Sequence, residues 1–486
     1  MTLGRREFIQ GSSLLATLAA LSCSRSSGGG ATLVDKSADP LVLRGLHRFG
    51  FGHRPGDVDR VSAQGILEHL EEQLHPEAID DSRTEQLVAA LSTYSLPLAE
   101  LRKQPYTLVQ YELGLATFLR AQLSSRQLHE AMVEFWSDHF YVTVTKNPFI
   151  NYLKVVDDRD VIRPRALGRF KDLVKAVVKS TAMLSFLDNI QNEKGNPNEN
   201  YARELMELHT LGVTAGYSQV DVEELARALT GWGMHLDGER IGEFRYDDSL
   251  HDYGEKRVFG LDLPGSDGED EVSRLIDHLC EQPATAHFLA TKLSRRFVAD
   301  DPPAGLVAEV GRTYLATGGN VKSMLRAIFR SREFAAAPKK LKRPFKYAVS
   351  VLRALGCDEQ VTEAALQALP GLGQPLYFWP MPNGYPDVAE AWLPGLLNRW
   401  NFCLELLDGG HERVNDAVRA LLGGSRSRGA ALDALSSGIL GTSLERGVRN
   451  ALFDHVGAGG FDDPLTEERW REVAALLLSH PDFQWS

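Results

Sequence analysis

The chain has 486 residues, of which 43% are hydrophobic and 24% are charged, and its formal net charge is −12. This length and composition are typical of a globular protein with a substantial core, and they exclude a disordered or fibrous chain. Because lysine and arginine are spread along an acidic chain, we expect no nucleic-acid partner. The cysteines at positions 23, 280, 357 and 403 are too scattered for a disulfide framework or a Cys-x-x-Cys metal site.

The first residues resemble a twin-arginine export signal. Arg5 and Arg6 precede a modestly apolar run over residues 11–21, which is too short to remain as a membrane-spanning helix. We therefore expect residues 1–23 to be a signal segment that engages the twin-arginine translocase. The domain behind it is expected in the periplasm or cell envelope.

Cys23 ends the apolar run and leaves two outcomes open. Residues 24–38 are rich in serine and glycine, a composition suited to a flexible tether behind an acylated cysteine. The residues before Cys23 match a lipoprotein cleavage motif imperfectly, so cleavage without lipidation is the alternative. A lipid on Cys23 is the only membrane attachment that we expect.

The remainder of the chain has the apolar pattern of a helical protein. From about residue 40 onward, apolar residues recur at spacings of three and four between short glycine, proline or aspartate breaks. Only the stretch near residues 240–262 is typical of short strands or irregular structure. Because no linker or repeat interrupts the pattern, we expect residues 39–486 to form one large, mainly α-helical domain with a small β-containing insertion.

Several segments carry a resemblance to a known family. The longest covers residues 196–213 and continues through 216–219 and 226–232. Shorter matching segments are 48–52, 135–140, 251–256, 283–293 and 383–387. On these segments the chain is similar to the domain of unknown function 1800 family. The resemblance implies a helical, twin-arginine-exported protein, often encoded beside an exported protein similar to sulfatases and alkaline phosphatases, and it supplies no reaction.

Two histidines are predicted to face the core. At about 100° per residue, His139 projects onto the apolar face of its helix, and His209 projects close to Leu205. A buried imidazole needs a partner. Carboxylates together with imidazoles hold metals inside helix bundles. Four carboxylates on the two helices could serve in this way: Glu134, Asp138, Glu204 and Glu207. A hydrogen-bonded core histidine without a ligand is the alternative.

A polar loop supplies a third histidine. Residues 247–256 contain three aspartates and His251, whose oxygen and nitrogen atoms suit a divalent cation. On composition alone the loop is equally typical of a solvated surface. We expect it to join the helices of His139 and His209 around one polar pocket.

These segments yield the candidate site residues. The candidates for acid–base groups are His139, His209 and His251. The candidates for ligands of a divalent or transition metal are His139, Glu204, Glu207, His251 and Asp252. The candidates for contacts with another cofactor are Asn198, Arg203, Trp232 and Tyr385.

An aromatic, proline-rich loop points to a different function. The aromatic side chains of residues 377–379, with Tyr385, Trp392 and Trp400, offer rigid rings that suit a ligand pocket or a sugar platform. The alternative is a cluster of core residues beneath a long loop.

Three functional hypotheses follow. The first is an exported envelope protein whose polar pocket binds a metal or cofactor. The second is a non-catalytic partner or escort of the co-encoded sulfatase-like protein, and the third is a carbohydrate-binding envelope protein. Motifs for common reactions, such as a nucleophile elbow, a Walker loop or a zinc helix, are missing from the sequence, so an enzymatic role stays open.

Overall fold

The computed structural model of the protein describes residues 39–486 except 409–410, 426, 456–459, 461 and 465. The expected signal segment, the linker and Cys23 lie outside the described residues. Within the described part, twenty-five α-helices and two small sheets confirm the mainly α-helical fold. None of the described helices is both long and apolar enough to cross a membrane.

The helices follow one another with short connections. The first twelve are α1 (Pro40–Phe49), α2 (Asp57–Gln64), α3 (Ile66–Gln73), α4 (Ser82–Ala89), α5 (Leu98–Leu101), α6 (Tyr106–Leu123), α7 (Gln127–His139), α8 (Ile150–Val156), α9 (Phe170–Val178), α10 (Thr181–Phe186), α11 (Glu199–Glu204) and α12 (Gln219–Ala228). The others are α13 (Glu269–Glu281), α14 (Pro283–Phe297), α15 (Ala304–Thr317), α16 (Val321–Phe329), α17 (Arg332–Ala335), α18 (Pro344–Leu355), α19 (Thr362–Leu372), α20 (Leu396–Asp408), α21 (Glu412–Leu422), α22 (Arg428–Leu440), α23 (Arg446–His455), α24 (Glu467–Ser479) and α25 (Pro481–Gln484).

The β-containing insertion is present and begins earlier than the sequence predicts. Strands β1 (Trp232–Met234) and β2 (Phe244–Tyr246) form one antiparallel pair, and β3 (Lys256–Val258) and β4 (Leu261–Leu263) form another. The first strand therefore starts directly after α12, inside a segment that carries the family resemblance.

The sequence of α14 explains which of its faces is buried. Pro283 occupies the first turn, where its missing N–H costs no hydrogen bond. The side chains of Leu289, Leu293 and Phe297 recur at a spacing of four and are buried in the core. This stripe leaves the charged residues of the last turns to line a neighbouring cavity.

The core has two large parts. The first packs α7 and α14 around Trp136 and Leu293, and the second packs α18 and the C-terminal helices around Tyr347 and Leu477. A small third cluster joins Tyr141, just after α7, to the loop that follows α19. Helix α7 contributes to both large parts, through Trp136 to the first and through Ala131 to the second.

Candidate functional site

A polar cavity of about 290 Å³ opens where α7, α14 and the loop of residues 379–388 meet. Arg343, immediately before α18, completes the wall. The lining residues are Phe135, Asp138, His139, Lys292, Arg295, Arg296, Arg343, Trp379, Asn383, Gly384, Tyr385, Pro386, Asp387 and Val388. We call this cavity the arginine pocket.

Positive charge dominates the lining. The cavity is lined by four cationic side chains (one lysine and three arginines) and by two carboxylates, Asp138 and Asp387. This excess of cations occurs in a chain whose net charge is −12. An excess of one sign of charge in a cleft attracts ions of the opposite sign. The arginine pocket therefore favours an anionic ligand.

Glu134 holds two of the arginines in place. Its carboxylate, which is buried on α7, forms ion pairs with Arg296 and Arg343. Burial alone would raise the pKa of Glu134, but the two guanidinium groups keep this pKa below its ordinary value. Arg343 also lies 2.6 Å from Asp138 Oδ2, and its own Nε has no hydrogen-bond partner among the described residues.

Asp387 lies close to cations from two other segments. Its Oδ1 lies 3.3 Å from Lys340 Nζ and 3.8 Å from an Arg296 nitrogen. Burial opposes ionisation, but these cations hold the pKa of Asp387 well below its ordinary value. The carboxylate is thus charged and already paired.

Lys292 and Arg295 differ from these residues because neither has a carboxylate partner in the described part of the chain. The Lys292 ammonium forms no hydrogen bond there and lies 5.5 Å from the centroid of the Phe288 ring. Arg295 donates from Nε to the Asp300 carbonyl and leaves its terminal nitrogens without a described partner. Burial lowers the pKa of Lys292 to about 8, although the carboxylates of Asp138 and Asp387, beyond ion-pair distance, act in the opposite direction.

His139, one of the residues nominated from the sequence, lines the same pocket. Its Nε2 lies 3.0 Å from the carbonyl oxygen of His209, which can only accept, so Nε2 carries the proton. The unprotonated Nδ1 is buried without a partner among the described residues. Burial lowers the pKa of His139 well below its ordinary value, so the ring is neutral.

Two aromatic rings form one side of the pocket. Trp379 is partly exposed, donates from its indole N–H to Asn383, and lies 5.2 Å from the Tyr385 ring. Of the other aromatic residues nominated from the sequence, Trp392 is buried against this pair, and Phe378 is 41% exposed and does not line the cavity. Only part of the predicted aromatic cluster faces a ligand space.

The candidates on the longest family segment lie behind the pocket. His209 is buried in a π-helical turn, Leu205–Thr210, against the ring of Phe140. Glu204 and Glu207 are half-buried, and burial together with the neighbouring Glu207 raises the pKa of Glu204. None of the three lines the cavity.

The structure does not place His251 with the other two histidines. Its Nδ1 lies 2.9 Å from the Thr230 carbonyl, and its Nε2 lies 3.7 Å from buried Glu271. Asp252 pairs with Arg227, and that hydrogen bond lowers the pKa of Asp252 to about 2. The expected single pocket is therefore divided into two separate polar clusters, because the loop folds over α12 and α13.

The cofactor candidates are also divided. Asn198 caps α11 by accepting from the backbone of Asn200, and Arg203 pairs with Glu199. Trp232 is buried on β1. Of the four candidates, Tyr385 alone lines the arginine pocket.

The described residues contain no group of three or more histidine, cysteine or carboxylate side chains placed to hold a metal ion. The metal site thus stays a prediction from residue types, without a grouped ligand set in this part of the chain.

A larger groove of about 700 Å³ lies elsewhere and is less suited to a ligand. Among its charged lining residues, Asp81 accepts from Thr84 and Ser124, and Arg353 donates to the carbonyls of Gly52 and Gln122. Because these groups are satisfied by the protein itself, the arginine pocket is the better candidate site.

The sequence alone did not indicate that Lys292, Arg295, Arg296 and Arg343 are site residues. The available signal was a run of three cations on the charged side of one helix, at the end of the 283–293 family segment. Arg343 had no local signal, because its partner Glu134 lies 209 residues earlier.

A family model described as protein of unknown function (DUF1800) matches residues 44–485. No curated protein and no solved structure matches the chain. Three of the segments that carry the resemblance, 135–140, 283–293 and 383–387, contribute lining residues to the arginine pocket.

Gly384 lets the loop approach α7, and its replacement tests this contact. It has φ +69°, and a Cβ there would lie 2.2 Å from the Asp138 carbonyl oxygen. We expect Gly384→Ala to lower the free energy of unfolding by about 2 to 5 kcal/mol, measured by urea denaturation. Gly238→Ala is the matched control, because it has φ +71° and open space, and should cost only about 1 to 2 kcal/mol. Equal losses in both variants would contradict the close approach.

Proposed function

The chain belongs to the DUF1800 family, and we propose that it is an exported protein of the cell envelope that binds a small anionic sugar in the arginine pocket. The observation that carries this proposal is the pair Lys292 and Arg295, two cations that line the cavity without a carboxylate partner in the described chain. Charged groups that protein contacts leave unpaired are suited to pair with a ligand.

The aromatic wall supports a sugar as the body of the ligand. Trp379 and Tyr385 present apolar ring surface, and Asn383 and the charged groups supply polar contacts around it. A pocket that combines aromatic surface with a few placed polar groups is typical of small-molecule sites. Carboxylate, sulfate and phosphate groups are all compatible with guanidinium donors.

The proposed location rests on the N-terminal sequence. Arg5 and Arg6, followed by the apolar run of residues 11–21, support export by the twin-arginine translocase. A co-encoded sulfatase- or phosphatase-like protein is the proposed partner, because such enzymes act on anionic esters of the class that the arginine pocket suits.

Replacing Lys292 tests the anion site. We expect Lys292→Met to weaken binding of a galacturonate trisaccharide about tenfold in titration calorimetry, and neutral maltotriose should bind neither protein.

Because the pKa of Lys292 is about 8 and only the protonated amine attracts an anion, wild-type affinity should fall between about pH 7 and about pH 9. The affinity of the variant should not change over this range. Lys103→Met, on an exposed side chain, should match wild type; an unchanged affinity of Lys292→Met would refute the site.

Replacing Trp379 tests the sugar platform. We expect Trp379→Ala to weaken binding of the same trisaccharide by at least about tenfold, because the sugar loses its apolar contact. Phe378→Ala is the control, since this neighbouring ring is 41% exposed and lies outside the pocket lining. Similar affinities of the two variants would argue against a sugar on this wall.

Replacing the two adjacent arginines of the N-terminal segment tests the export route. We expect the double replacement of Arg5 and Arg6 by lysine to retain the chain in the cytoplasmic fraction of a bacterial host, because the paired arginines are the recognised feature of the signal. Arg25→Lys, in the serine- and glycine-rich segment, should leave export unchanged. Normal export of the double variant would contradict this route.

A further inference from the structure

Lys292 and Arg295 lie three positions apart on α14, so their side chains share one face of the helix. Both line the arginine pocket, while the adjacent Arg296 is occupied by Glu134. One face of one helix thus presents an amine and a guanidinium to the same space.

The surroundings of Lys292 suit a proton acceptor. Its side chain is half-buried over the Phe288 ring, and its pKa, lowered to about 8, leaves more of the amine neutral near neutral pH than an ordinary lysine has. A general base works best when its pKa lies near the operating pH. Two other titratable groups of the lining fit the role of proton acceptor less well. The pKa of the His139 ring lies far below this range, and Asp138 is paired with Arg343.

The terminal nitrogens of Arg295, which have no partner among the described residues, suit the binding of a substrate carboxylate. A guanidinium binds a carboxylate through two parallel hydrogen bonds and neutralises its charge. A C–H bond next to a carboxylate becomes acidic only when that charge is compensated, because the electron pair of the broken bond spreads onto the carboxylate oxygens.

Resting on the proposed binding of an anionic sugar, we infer that Lys292 removes the proton next to a uronic-acid carboxylate held by Arg295, so that the pocket eliminates a glycosidic bond. The substrate class is an oligosaccharide of uronic acids linked through the oxygen on the carbon β to the carboxylate. The neighbouring sugar ring would pack on Trp379, the first residue of the loop of residues 379–388 that lines the cavity.

The step balances without a co-reactant. The bond between the proton and the carbon α to the carboxylate breaks, and the proton moves to Lys292 Nζ. The electron pair forms a double bond between the α and β carbons, and the bond from the β carbon to the glycosidic oxygen breaks. The Lys292 ammonium then returns its proton to that oxygen, which leaves as a hydroxyl.

The test uses the full mature chain with polygalacturonate and alginate oligosaccharides as probes. Binding is measured by titration calorimetry, and elimination is measured by the ultraviolet absorbance of the conjugated, unsaturated product. We expect both probes to bind and at least one to yield product, at a rate that increases with pH through about 8 as Lys292 loses its proton.

Lys292→Arg separates binding from chemistry, because arginine keeps the charge but stays protonated. We expect this variant to lower the rate by at least about a hundredfold with little change in affinity, and Lys103→Met to retain the wild-type rate. Binding without product, or an undiminished rate in Lys292→Arg, overturns the elimination and leaves the sugar-binding proposal standing. If neither probe binds, the inference is overturned. If sulfated oligosaccharides, tested in the same calorimeter, do not bind either, the proposed function is overturned as well.

Discussion

The buried carboxylate of Glu134 is the interaction on which the architecture of the pocket depends. It lies on α7 and pairs with Arg296 from α14 and with Arg343 from the segment before α18. A buried carboxylate without partners is strongly destabilising, and so is a buried guanidinium. Glu134, Arg296 and Arg343 therefore depend on one another. Together they hold three segments that are distant in sequence around one cavity.

This arrangement also decides where charge remains for a ligand. Glu134 forms ion pairs with Arg296 and Arg343, and Asp387 lies within ion-pair distance of Arg296 and Lys340, so these cations serve mainly to shape the wall. Lys292 and Arg295, in the same last two turns of α14, form no ion pair with a carboxylate of the described residues. Along this one helix, Arg296 is thus paired within the protein, whereas Lys292 and Arg295 are left for a ligand. The apolar stripe of the same helix is buried in the core.

The sequence predicted the helical class and the β-containing insertion, because apolar spacing reports helix faces directly. It also placed His139 and His209 on buried faces, where both are found. It could not predict that His251 would lie in a separate cluster, since this depends on how a loop packs over other helices. For the same reason it missed the pairing of Arg343 with Glu134, which is set by tertiary packing across 209 residues.

The longest family segment supports the pocket from behind without lining it. The His209 carbonyl lies in the π-helical turn near the end of the helix, where carbonyls lack partners within the helix, and it accepts a hydrogen bond from His139 Nε2. Gly212 follows with φ +82°, and a Cβ there would lie 2.8 Å from the Phe288 ring. That ring packs against His139 and beneath the Lys292 ammonium. The π-helical turn and Gly212 therefore set the tautomer of His139 and the position of the Phe288 ring beneath Lys292. In this way, residues that do not line the cavity shape the chemistry of those that do.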